Sequence, residues 1–144
     1  MDSLEKIFQQ VELVSKKTNV PAYVVGGFVR DFLLCRAHKK DLDFVVVGSC
    51  LEFAKKFDEE LKQEGSLIEF SDFDTARYII KIPNPEEEVV LEFAGARSEK
   101  YEPNSRKPKV EQTTLEEDLA RRDFTVNAMA VLVSVFAKAL NPSE

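Results

Sequence analysis

The chain offers little for cross-linking and little for crossing a membrane. Its 144 residues include two cysteines, Cys35 and Cys50. These form neither a disulfide framework nor a metal-ligand spacing, so both read as free thiols of a reducing cytoplasm. The one histidine, His38, falls in a polar link, where a solvent-facing side chain is the ordinary state. No apolar run approaches the roughly 20 residues needed to span a bilayer. The opening Met1-Asp2-Ser3-Leu4-Glu5-Lys6 has no signal-peptide character. The expectation is a cytoplasmic protein with no membrane partner. Repeats and low-complexity segments are absent. Positive charge is in deficit: 20 Lys and Arg against 26 Asp and Glu leave −6 at pH 7. That argues against a generic polyanion binder; RNA contact would need a local basic patch or a region outside this chain. The length suits one domain, and an apolar fraction of 44% is enough for a core.

The chemistry concentrates between Tyr23 and Val47. Tyr23, Val24 and Val25 read as a strand, followed at once by Gly26 and Gly27, and Phe28 to Leu34 reads as a short helix. Glycines at a helix N-terminus let a ligand approach main-chain N–H groups, where a phosphate is favoured. Arg30, in the first turn, could add a forked donor to phosphate oxygens. Asp41 and Asp43 stand two apart at the mouth of the next strand, so both carboxylates point to one face. Side by side they repel each other without a cation; with one or two Mg²⁺ they become a clamp for phosphoryl transfer.

Gly26-Gly27-Phe28-Val29-Arg30-Asp31 followed by Asp41-Leu42-Asp43 resembles the signature of class II tRNA nucleotidyltransferases, the family of CCA-adding enzymes and bacterial poly(A) polymerases within the DNA polymerase beta superfamily. A second resembling stretch is Leu115-Glu116-Glu117-Asp118-Leu119-Ala120-Arg121-Arg122-Asp123-Phe124-Thr125-Val126-Asn127-Ala128-Met129-Ala130. The resemblance covers about Tyr23 to Ala130 and implies an α/β nucleotidyltransferase fold, with a mixed, mostly antiparallel sheet and packed helices. It implies Mg²⁺ on Asp41 and Asp43. It implies phosphate contacts from Gly26, Gly27 and Arg30, with Asp31 orienting Arg30 or touching a ribose unless it is ordinary helix-surface charge. It makes Glu92, an odd carboxylate among Val90, Leu91 and Phe93, a third acidic group facing the aspartates; the other reading is a solvent-facing position near Arg97 or a lysine. It assigns nucleotide binding to Arg122, with Arg121 and Asp123 in the same or supporting roles. Two departures stand out: Cys35 and Asp74 occupy positions where relatives usually carry glycine.

The remaining pattern is architectural. Residues 3–17 read as an amphipathic helix with Leu4, Ile7, Phe8, Val11 and Val14 on one side. Ser49 and Glu52 form a capping box for a helix from about Leu51 to Glu64. Strands follow at Leu67–Phe70, Ala76–Ile82 and about Val89–Ala96, as an antiparallel run. Asp74 suits a turn, since aspartate tolerates unusual dihedrals. Ala96 to Thr114 reads as a long polar loop, either simply solvated and flexible or functional; in the second case Arg97, directly after the active strand, is the best placed to contact triphosphate or an RNA end. Thr114 and Glu117 resemble another helix cap, and Val131–Phe136 reads as a last strand.

Together these readings describe a catalytic head, residues 1–144. It would transfer CMP or AMP from CTP or ATP to a tRNA 3′ end and release pyrophosphate. Nothing after the second motif matches the neck element that reads the base in the resembling enzymes. The expectation is therefore a head lacking neck, body and tail, with little base preference and weak or no tRNA extension alone. The rival readings are a poly(A) polymerase head, a non-catalytic nucleotide-binding module, and an antibiotic-modifying nucleotidyltransferase. The paired aspartates argue against the second rival. The third typically opens with Gly-Ser rather than Gly-Gly-x-x-Arg-Asp. The oligomeric state stays open.

Overall fold

The computed structural model describes residues 4–33, 41–82, 87–101, 108–112, 114 and 130–140. Helix α1 (Leu4–Thr18) buries Ile7, Phe8, Val11 and Val14 at helical spacing. The chain then forms β1 (Ala22–Val25), α2 (Gly27–Leu33), β2 (Asp41–Val46) and α3 (Cys50–Glu60). Strand β3 (Ser66–Phe70) leads through one 3-10 turn (Ser71–Phe73) into β4 (Thr75–Ile82) and β5 (Glu87–Gly95). After these come β6 (Arg97–Tyr101), β7 (Pro108–Gln112), β8 (Ala130–Leu132) and α4 (Val133–Leu140).

The main sheet has six strands in the order β3-β4-β5-β2-β1-β8. The antiparallel run β3-β4-β5 is as expected, and β2 joins β5 in parallel. Strict alternation decides what each face carries. Along β4, Ala76, Tyr78, Ile80 and Ile82 are buried, so Thr75, Arg77, Ile79 and Lys81 point the other way. The buried face packs on the helices through aromatic rings. Phe8 meets Phe28, Phe44 and Phe136 at centroid distances of 5.7, 5.7 and 5.0 Å. Phe93 meets Phe44, Phe53 and Phe57 at 5.3, 5.5 and 5.4 Å.

Several boundaries differ from the sequence reading, each for a local reason. Helix α3 ends at Glu60 instead of Glu64, because Lys62 and Gln63 take positive φ of 53° and 59° and turn the chain. At its start the Ser49 hydroxyl accepts from the Glu52 amide at 3.4 Å, the expected cap. The 97–112 stretch is no simple loop. β6 and β7 pair antiparallel, from Arg97 opposite Gln112 to Tyr101 opposite Pro108, with the proline at the strand's first residue, where its missing N–H is tolerated. The expected strand at 131–136 is instead a three-residue strand followed by a helix, in which Val133 and Phe136 are buried at helical spacing. A short apolar run does not separate helix from strand by periodicity. Asp74 adopts the left-handed conformation, φ 47° and ψ 50°, expected of a glycine position. Glu117 of the second expected cap, and also Cys35 and His38, lie outside the described residues.

Candidate active site

Register brings the candidate residues together. On the face of the sheet opposite the aromatic core, Val25 of β1 pairs with Asp43 of β2, Asp43 with Glu92 of β5, and Glu92 with Arg77 of β4. Ile68 of β3 completes the row beside Arg77. Paired residues share a face, so this row crosses five strands, with charged side chains on the middle three and apolar Val25 and Ile68 at its ends. Asp41, two residues before Asp43, lies on the same face. The aspartates are the first and third residues of β2 rather than lying ahead of it.

The glycine pair closes the strip from the β1 side. β1 runs antiparallel to β2 and ends opposite Asp43, so Gly26 overhangs that carboxylate. A Cβ placed on Gly26 would lie 3.2 Å from Asp43 Oδ2, and the residue's φ of +77° is one that side chains other than glycine's rarely adopt. A Cβ on Gly27 would lie 3.3 Å from Arg30 Nη2, so the guanidinium folds back over the turn. The Arg30 N–H donates to the Gly26 carbonyl at 3.2 Å, so Gly27 is inside the helix, one residue earlier than the sequence reading put its start. Asp31 is only 4% exposed, and Arg30 Nε donates to its Oδ1 at 3.1 Å. A buried carboxylate needs a partner, and Asp31 has Arg30. Its burial excludes helix-surface charge.

Glu92 faces the aspartates with a cationic partner. Arg77 Nη2 and Nε donate to Glu92 Oε1 at 2.6 and 3.1 Å. That partner comes from β4, and Glu92 itself is half exposed. Arg77 was not singled out from sequence, although the alternation of β4 already turns it outward. A cavity of about 470 Å³ opens over this strip, and its lining includes Asp43, Arg77, Glu92, Phe70 and Phe73. A smaller one of about 370 Å³ joins Asp41, Asp43, Arg77, Val90 and Glu92. Among the described residues no three of His, Cys, Asp and Glu converge into a metal-binding group. Arg97 lies at the start of β6, directly after Ala96, whose N–H donates to the Val46 carbonyl at 2.9 Å. The Arg97 side chain, and Arg121, Arg122 and Asp123 altogether, lie outside the described residues.

Behind the site, Cys50 and Tyr78 are buried. Burial, reinforced by the charge of Asp74, pushes the Cys50 thiol up to about 12, and Cys50 Sγ donates to the Phe93 carbonyl at 3.0 Å. Burial and Asp58 push the Tyr78 phenol up as well. Its hydroxyl donates to Asp58 Oδ1 at 2.7 Å and accepts from the Gly65 N–H at 3.0 Å, which ties β4 to α3.

A mixed sheet with paired aspartates on a central strand, a carboxylate opposite them on its parallel neighbour and a Gly-Gly turn overhanging both defines a nucleotidyltransferase fold. Residues 22–139 match the model of the poly(A) polymerase head domain, and the chain belongs to that family. It is 46% identical over 115 residues to the A-adding tRNA nucleotidyltransferase of Aquifex aeolicus, covering 79% of this chain and 13% of that protein. Among solved structures it is similar to an apo CCA-adding enzyme, with TM-score 0.75 and 39% identity over 90% of this chain and 29% of that one. It is also similar to a tRNA nucleotidyltransferase solved with a primer tRNA and an incoming ATP analog, with TM-score 0.63 and 41% identity over 85% of this chain and 31% of that one. The chain thus spans less than a third of the length of each of these relatives.

Proposed function

We propose that this chain is the catalytic head of a template-independent RNA nucleotidyltransferase. It would transfer CMP or AMP from CTP or ATP to the 3′-hydroxyl of a tRNA and release pyrophosphate. The observation that carries the reading is Asp43 held between the Gly26–Arg30 turn and Glu92, so that a phosphate site and a hydroxyl site flank one carboxylate. An A-adding tRNA nucleotidyltransferase and an enzyme solved with primer tRNA and an ATP analog, both similar to this chain, support ATP and tRNA as substrates.

The donor set suits Mg²⁺. Hard oxygen ligands from one or two carboxylates, completed by substrate phosphates and water, are its ordinary environment, so a three-carboxylate cage is not required. Asp41 and Asp43 would hold it, and when bound it would neutralise the triphosphate and acidify the attacking hydroxyl. The chain's own groups do the rest. Gly26 and Gly27 leave room for the phosphates, and Asp31 fixes Arg30 so that its guanidinium meets them without being reorganised. Glu92, steadied by Arg77, accepts the hydroxyl proton or shares the metal. Arg97, Arg121, Arg122 and Asp123 complete the nucleotide site in this reading. Residues 1–144 would act as one head, in a reducing cytoplasm.

Calorimetric titration of ATP and CTP, with and without Mg²⁺, tests the site. Metal-dependent binding of both nucleotides, lost in Asp41→Ala with Asp43→Ala, is expected. Binding unchanged in that double variant refutes it. Products made from ATP alone and from CTP alone separate A addition, CCA addition and poly(A) synthesis.

A further inference from the structure

The cavity over the carboxylates runs on past Arg77 to an apolar lip. Ile68, Phe70 and Phe73 are 41, 42 and 39% exposed, three large apolar side chains gathered on the edge strand β3 and the turn after it. Their placement follows from register: Ile68 pairs with Arg77 and Phe70 with Thr75, so both lie on the face that carries Glu92 and Asp43. Phe73 joins Phe70 in lining the cavity. Exposed apolar side chains on an edge strand invite unwanted pairing, so a cluster of them beside polar groups marks a binding surface.

We infer that this lip is a stacking subsite for the terminal base of the RNA strand being extended. The inference rests on the nucleotidyl-transfer reading and deepens it. In the sheet order the Gly-Gly turn and Arg30 belong to the β1 side of β2, while the lip lies on the opposite side, beyond β5 and β4. Phosphoryl transfer needs attacking and leaving oxygens roughly in line across the transferred group. A triphosphate held on the β1 side therefore leaves the β5–β4 side to the incoming hydroxyl. The cavity there combines charged and aromatic side chains, the chemistry a nucleotide needs. Among its lining residues, Glu92 would meet the ribose hydroxyl, Arg77 the backbone phosphate, and Phe70 and Phe73 the base. Its volume of about 470 Å³ lies within the range of small-ligand sites. Aromatic stacking accepts any base, since each has a π-face, as suits an enzyme that extends an end without a template. It also needs no net positive charge, which this chain lacks at −6.

The test uses a short RNA whose 3′-terminal nucleotide carries the fluorescent base 2-aminopurine. With Mg²⁺ present, the protein is expected to quench that base. Phe70→Ala and Phe73→Ala should each weaken the response by about tenfold. Phe70→Tyr and Phe73→Tyr should keep it, and all four variants should bind Mg²⁺–ATP as the unchanged protein does. Quenching that persists in the double alanine variant, or is equal with the probe placed internally, overturns the inference. So does a protein that binds Mg²⁺–ATP but leaves the terminal base unquenched. If sedimentation shows instead that the alanine variants separate a dimer while the RNA response stays unchanged, the lip joins two copies of the chain and the inference fails. A protein that binds no Mg²⁺–ATP at all refutes the underlying site reading, and that result is read independently of any phenylalanine.

Discussion

Gly26→Ala isolates the geometry on which the site depends. The substitution adds one methyl group to a backbone at φ +77°. Left-handed backbone costs a residue with a Cβ about 1–2 kcal/mol. For a chain of this size that amounts to a melting-temperature loss of several degrees, at roughly 2–4 °C per kcal/mol. The local effect should be larger. The new Cβ lies 3.2 Å from Asp43 Oδ2, a contact the carboxylate relieves by shifting a few tenths of an ångström. Misplacing a reacting group by about 1 Å can cost about 10²-fold, so a shift of this size should lower nucleotide transfer by roughly three- to fivefold. Gly27→Ala is the control. Its Cβ would meet only the end of the Arg30 side chain, at 3.3 Å, and a long side chain gives way at little cost. The assays are thermal unfolding for both variants, metal-dependent ATP titration for both, and transfer activity in the longest form of the protein that is active. The expectation is that Gly26→Ala loses metal-dependent affinity and transfer while remaining folded at 25 °C, and that Gly27→Ala loses less of each. Equal, small effects of the two substitutions would refute the claim that the Gly26 turn holds Asp43 in place.

Arg77→Ala should barely change stability, because Arg77 and Glu92 are 44% and 49% exposed and such pairs contribute about 0–1 kcal/mol; it should instead change the Mg²⁺ dependence of ATP binding, read by calorimetry, with Arg77→Lys intermediate. Tyr78→Phe should cost about 1–2 kcal/mol in chemical denaturation by leaving the Gly65 N–H without its acceptor and Asp58 without its donor, with nucleotide affinity unchanged. Cys50 should resist iodoacetamide at pH 8 in the folded protein, as peptide mass mapping can show, since burial holds it as a thiol up to about 12. The same shift sets the sign of a stability effect. A thiol whose pKa is raised by folding stabilises the native state fully below its unfolded pKa near 9, and the contribution is lost as pH rises from there toward 12. Stability should therefore fall with pH in that window, and less steeply in Cys50→Ala.

The parts of the fold that follow from local pattern were legible. Helix α1 and the β3-β4-β5 run follow from apolar spacing, and the left-handed Asp74 from its place in a turn. Where two patterns coincide, the sequence was ambiguous. Val131 to Phe136 is apolar enough for either element, and the helix from Val133 won because Val133 and Phe136 reach the core from one helical face. The β6-β7 ribbon was hidden by its polar composition, since strand pairing is made by the backbone and needs no apolar residue. At the site, the Gly-Gly, Asp-x-Asp and Glu92 positions stood out by residue type. Arg77 did not, because its partner is 15 residues away and is met only across the β4-β5 register. Nor did the burial of Asp31, since one charge in a short helix gives no sign of which face it occupies.

The site owes its position to one change of direction in the sheet. β1 is antiparallel to β2, so the end of β1 and the beginning of β2 meet, and the Gly26 turn arrives over Asp43. β5 is parallel to β2, so Glu92 enters the same row from the other side. Had β5 run antiparallel, Glu92 could still have shared a row with Asp43, but the chain leaving β5 would not continue past Ala96 alongside the far end of β2, where the Ala96 N–H reaches the Val46 carbonyl. That parallel pair is possible because α3 and the β3-β4 hairpin carry the chain across from the end of β2 to the start of β5. The same crossover sets β4 and β3 beside β5, and with them Arg77 and the Phe70–Phe73 lip. Under the proposed function, a single topological choice would separate a phosphate side from a hydroxyl side and leave the aspartates on the strand between them, the arrangement an in-line transfer requires.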